Sequence, residues 1–199
     1  MKKNLFIAAL AFVAMGANAQ VVNTLDGYQA GDQFEKDGVK YELIAVEDGN
    51  PVKVVGAVAE EVTVQEAFSM TDNYTVTDFT AGLAQMDLTK VTAVADVPLA
   101  IADNFFTEAT YEGELHVPSG VVAKYSAAAG WKNFLLMYND KGELRGDHDG
   151  DGTLDTVDAL AILVDYDNDE DYNELYDMDG DGTIDTVDAL ILLNIYDKL

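Results

Sequence analysis

Gly150-Asp151-Gly152-Thr153-Leu154-Asp155-Thr156-Val157-Asp158-Ala159-Leu160 returns thirty residues later as Gly180-Asp181-Gly182-Thr183-Ile184-Asp185-Thr186-Val187-Asp188-Ala189-Leu190, with Leu154 against Ile184 the only difference. Self-similarity of this strength means one structural unit used twice. Just upstream of each copy stand two further alternating acids, Asp147 and Asp149 in the first and Asp177 and Asp179 in the second.

With those acids included, each unit fits the template D-x-D-x-D-G followed by five residues and an acid, the signature of a calcium-holding loop. Asp147, Asp149 and Asp151 bring alternate carboxylates to one side of a tight turn, Gly152 permits the turn, and Asp158 closes the loop. The matching residues are Asp177, Asp179, Asp181, Gly182 and Asp188. Backbone carbonyls of Thr153 and Thr183 are expected as one ligand each, and Asp155 and Asp185 fall where a ligand often acts through water. A hard cation of Ca²⁺ size takes six to eight such oxygens. Five Asp crowd into each twelve-residue loop, and without a cation they repel one another at close range. Two Ca²⁺ ions are therefore the expected cofactors. Leu154 and Ile184, mid-loop between ligands, are expected to face inward and pair the loops. Short apolar helices are predicted after them, over 159–164 and 189–195. Asp167, Asp169 and Asp171 also alternate, but Tyr172 stands where Gly is needed and Met178 where the closing acid belongs, so that stretch reads as a solvated linker or helix start.

The rest of the chain agrees with a cation as first partner. Its 199 residues carry 11 basic and 37 acidic side chains, a net charge of −26. Nucleic acid is excluded as a partner, because phosphate binding needs Lys and Arg to displace counterions. An anionic membrane surface is excluded for the same reason. Residues 146–199 hold 17 of the acids against a single Lys. At the N-terminus, Lys2 and Lys3, an apolar run from Leu5 to Met15 and Ala17-Asn18-Ala19 read as a secretory signal over 1–19, with Gln20 as the first mature residue. The apolar run is too short to span a bilayer, and no membrane insertion is expected after cleavage. Cys is absent, so stapling falls to metal.

Residues 20–144 read as short strands. Val39-Lys40-Tyr41-Glu42-Leu43 alternates, Asp48-Gly49-Asn50-Pro51 is a turn, and a β-rich run resumes from Val52 to Val58. A helix capped by Ser119, with Val121, Val122 and Tyr125 on one face, ends at Gly130. Catalytic signatures are missing: no Cys nucleophile, no G-x-S-x-G elbow, no H-E-x-x-H helix. His116 and His148 have no evident partner in the sequence. A non-catalytic protein is expected, with Tyr74, Phe79, Tyr111 and Trp131 as core residues.

The closing acid is Asp in both loops, where the general template has Glu, and each loop is followed by one short helix. In this the segment 145–199 resembles a type I dockerin, the calcium-dependent docking module of secreted bacterial assemblies. The resemblance implies an all-α module with two calcium loop-helix units and a cohesin-type partner. It also implies partner contacts at Thr156 and Val157, repeated at Thr186 and Val187. Upstream, Phe34 to Tyr41, Leu88 to Phe106 and the stretch Leu115-His116-Val117-Pro118-Ser119-Gly120 through Phe134 resemble leucine-rich-repeat surface proteins of the BspA-like type, with residues 55–87 matching poorly. The expected architecture is thus mixed: a small β-rich, leucine-rich-repeat-like domain over 20–144, then the all-α module over 145–199. The expected function is calcium-dependent docking at the cell surface or outside the cell. The alternative is an adhesin whose N-terminal domain binds a glycan or host protein, with the calcium module serving stability alone.

Overall fold

A computed structural model of the chain describes residues 29–199 apart from 48, 71, 79, 85 and 169–171. The secretory signal over 1–19, Phe79, and Asp169 and Asp171 of the linker lie outside the described residues. The chain divides into two compact units, one ending at residue 59 and resuming over 65–83, the other comprising 60–64 and 84–199.

The first unit is a five-stranded sheet. Strands β1 (Gln33–Lys36) and β2 (Val39–Leu43) form a hairpin through Asp37 and Gly38, both at positive φ, as a tight two-residue turn requires. Next come β3 (Pro51–Ala57), β5 (Ala67–Ser69), β6 (Asn73–Asp78) and the short helix α1 (Thr80–Leu83). The strand order is β1-β2-β3-β6-β5. Alternation in β2 turns Val39, Tyr41 and Leu43 inward. Phe34, Phe68 and Tyr74 join Tyr41 in one aromatic cluster with ring centroids as close as 4.8 Å.

The second unit is built on β4 (Glu61–Val64), β7 (Lys90–Ala93), β8 (Glu114–Val117) and β9 (Leu136–Asn139), parallel throughout and adjacent in chain order. Parallel pairing requires long crossovers. These carry α2 (Glu108–Tyr111), α3 (Val122–Ala127) and a 3₁₀ turn at Trp131–Asn133. Val62, Val91, Leu115 and Met137 point from successive strands into one core with Phe106, Tyr125, Trp131 and Phe134. Two of its polar side chains are satisfied by loop carbonyls: the Trp131 Nε1–H donates to the Leu99 carbonyl at 2.7 Å and the Tyr125 hydroxyl to that of Ala95 at 2.8 Å.

Helices α4 (Thr156–Asn168) and α5 (Thr186–Tyr196) complete this unit. They pack through Ala159, Ile162, Ala189, Leu192 and Ile195, with Leu144, Leu154 and Met178 buried among them and Ile184 against the cluster.

The expected fold class is corrected here. Residues 145–199 are not a separate all-α module following a β domain; they are part of a mixed α/β unit that contains the parallel sheet. The cause lies at the end of β9. Leu144 returns to pair with Tyr138 in an antiparallel bridge, and the Arg145 N–H donates to the Met137 carbonyl at 2.8 Å. The Leu144 side chain itself is already inside the helical core. Sheet and helices therefore share one interior.

Both late helices begin about one turn earlier than periodicity suggests, at Thr156 and Thr186. Ser119 does not cap α3; its hydroxyl bonds Asp140, and α3 starts at Val122 without a side-chain cap of its own. The carboxylate of Glu174 supplies that function, accepting from the Gly120 N–H at 2.5 Å and the Val122 N–H at 3.0 Å. A carboxylate there also complements the positive end of the helix dipole.

Candidate metal centre

The two repeated segments fold into loops of the same design. In the first, Asp147 Oδ1 accepts from the Gly150 and Asp151 N–H groups at 2.8 and 3.2 Å, and its Oδ2 from Gly152 at 2.9 Å. Asp149 accepts from Asp151, and Asp151 from both the N–H and the hydroxyl of Thr153. Asp158 closes the loop by accepting from His148 at 2.8 Å and from Asp155 at 2.9 Å.

Thirty residues on, the corresponding atoms repeat these contacts. Asp177 accepts from Gly180, Asp181 and Gly182; Asp179 from Asp181; Asp181 from Thr183; and Asp188 from Met178 and Asp185 at 2.7 Å each. Asp185 is the N-cap of α5 and makes a reciprocal capping box with Asp188. Asp155 donates its N–H to Asp158 and accepts from Val157 at 2.6 Å, the same arrangement at the start of α4.

Carboxylate oxygens gather in two places. Asp147, Asp149 and Asp151 each bring an oxygen within 4.8 Å of the others, as do Asp177, Asp179 and Asp188. Opposed ligands of a Ca²⁺ ion, each at about 2.4 Å, stand about 4.8 Å apart. An all-oxygen set of this span fits a hard divalent cation. Asp158 in the first loop and Asp181 in the second lie outside these groups, as do Asp155 and Asp185, which serve as helix caps.

The electrostatics separate the carboxylates by role. Burial holds Asp179 and Asp188 above the ordinary carboxylate range, and for Asp179 the charges of Asp181, Asp177 and Asp185 push the same way. Asp151 and Asp181 are held below it by the hydroxyl and N–H of Thr153 and Thr183. Asp179 and Asp181 also line an open cleft of about 880 Å³ bounded by Glu108, Lys132, Leu135 and Ile191.

All four expected partner-contact residues, Thr156, Val157, Thr186 and Val187, are exposed at the first turns of α4 and α5. Leu160 and Val164 extend the first pair along the helix at 62% and 50% exposure, and Leu190 extends the second at 65%. The i, i+3, i+7 spacing of Val157, Leu160 and Val164 could have flagged this stripe in the sequence. Three residues given no partner by the sequence acquire one in the fold. Tyr172 donates its hydroxyl to Asp177 Oδ2 at 2.8 Å. His148 pairs with Asp165 at 2.7 Å and stacks on Tyr176. His116 pairs with Glu114 and stacks on Tyr138. Glu114 is two residues from His116 on β8, whereas Tyr138, Asp165 and Tyr176 lie on other elements, beyond any local motif.

Among the described residues no helix is long and apolar enough to cross a membrane. Compared with known protein families, with curated proteins and with solved structures, the chain has no match.

Proposed function

We propose that this is a secreted, non-catalytic protein whose two loops each bind Ca²⁺, and which, so loaded, docks a cohesin-type partner in an extracellular or cell-surface assembly. The observation that carries this reading is the doubled design itself. Two loops with the same hydrogen-bond scheme each open directly into a helix bearing an exposed apolar stripe.

When bound, Ca²⁺ supplies positive charge that draws the carboxylates together. The chain's own groups do the rest. Asp158 and Asp188 tie the entry of each loop to the first turn of its helix, so loop closure and the placement of Val157, Leu160, Val187 and Leu190 are one event. Thr153 and Thr183 keep Asp151 and Asp181 ionised and aimed. Docking here rides on a mixed α/β unit, not on a free-standing helical module.

The test is affinity capture by the mature protein from the source organism's secreted fraction, with and without EDTA. A single protein recovered only in calcium, and lost with Leu160→Asp combined with Leu190→Asp, is the expected outcome. Capture that persists in EDTA and survives both substitutions would instead assign recognition to the N-terminal unit.

A further inference from the structure

The two loops are nearly identical in sequence, yet their surroundings differ. Gly150 has open space where a Cβ would stand, whereas a Cβ at Gly180 would collide with the Ala123 carbonyl and the Ala127 backbone of α3. Asp177 is fully buried and Asp147 only partly so. Asp177 also receives the Tyr172 hydroxyl, and among the described residues Asp147 has no such donor.

Arg145 completes the attachment. Its guanidinium is fully buried, donating to Ser126 Oγ in α3 at 3.1 Å, to the Phe134 carbonyl at 3.2 Å and to the Met178 carbonyl, inside the second loop, at 3.5 Å. Glu174, on the approach to that loop, caps α3. The second loop is thus braced by α3, Arg145 and Tyr172; the first loop, although it follows β9 and buries Leu154 in the shared interior, has no such brace among the described residues.

Resting on the calcium reading above, we infer that the sites are unequal: the second holds a tight ion that sets the order of α3 and the sheet's end, and the first holds an exchangeable ion that controls α4 alone. Preorganisation by α3 lowers the cost of closing the second loop, so its ion binds about tenfold or more tightly.

Trp131 is the sole Trp, fully buried, and packs against Tyr125 of α3 and against Phe134. Its fluorescence therefore reads the sheet's end, while calorimetry counts ions. In the mature chain, calcium titration is expected to show a tight ion that changes the Trp131 signal and a weaker ion that does not. Asp179→Ala should abolish the tight ion and the Trp131 response together, and Asp149→Ala only the weak, silent one. Should Asp179→Ala fail to fold, Gly150→Ala and Gly180→Ala serve instead. Both glycines have φ near +70°, so backbone strain is shared, and only Gly180→Ala should disturb Trp131. Two ions of equal affinity, or a Trp131 signal equally sensitive to both loops, would overturn the inequality and leave calcium binding intact. A wild-type chain that takes up no ion would overturn both.

Discussion

Arg145 carries an unusual burden for one side chain. It is a cation in a chain of net charge −26, yet it is fully buried and among the described residues pairs with no carboxylate. Burial lowers its guanidinium to about 10, still far enough above neutrality to keep it charged. Two carbonyls and a hydroxyl hold it, and among the described residues its Nε has no acceptor. Arg145→Ala would leave those acceptors unmet in a cavity, a loss of about 3 kcal/mol, to be read from urea unfolding. Asp188 makes a second residue-scale case, with a sign opposite to that of most carboxylates. Its folded pKa lies above the unfolded value, so without metal it favours folding at low pH and disfavours it as pH rises through the raised pKa. On the proposed calcium reading a bound ion would reverse the sign, because it requires the carboxylate. In EDTA, wild type should therefore lose thermal stability relative to Asp188→Asn as pH rises from about 4, the ordinary carboxylate range. In calcium, wild type should be the more stable of the two at higher pH. An EDTA gap that is flat with pH would contradict this.

At the scale of elements, the loops and the starts of α4 and α5 were legible in the sequence, because every contact that forms them lies within twelve residues. The alternating Asp, the glycines and the closing acid are placed by local turn geometry. The apolar runs alone place both helix starts too late; in the fold Asp155 and Asp185 each cap a helix, which sets its first turn at Thr156 or Thr186. Asp185→Ala should accordingly cost about 1 kcal/mol, measurable by thermal unfolding in EDTA, where any ligand role is silent. The start of α3 was misread for the reverse reason. Ser119 satisfies a local capping pattern, but the acceptor that serves α3 comes from Glu174, 54 residues from Gly120. On α4 and α5 the exposed stripes predict a clean separation of effects. Leu160→Asp and Leu190→Asp should each change stability by less than about 0.5 kcal/mol, while the pair removes partner capture.

For the whole molecule, the shared interior of sheet and helices would couple an ion bound at the proposed sites to the stability of the second unit. An ion at a hundred times its dissociation constant would add about 2.7 kcal/mol. Calcium should raise the unfolding midpoint seen by Trp131, although Trp131 lies outside both loops. Cutting the chain after residue 145 should depress that midpoint and weaken the near-UV signal of Trp131, since α3 would lose Glu174 and Arg145 would lose Met178. An unchanged midpoint would restore the picture of two separate modules.

By itself the sequence determined the two loops, their carboxylates, the helices that follow them and the alternating strands upstream. Each of these is written in short-range spacing, and acidic repulsion over a few residues needs no fold to be predicted. The tertiary structure alone decided that the helices share a core with the parallel sheet, that Glu174 rather than Ser119 begins α3, and that two copies of one motif have different neighbours. The physical reason is separation along the chain. Arg145 meets Met178 across 33 residues, and contacts of that span arise only when β9 ends where the helical core begins.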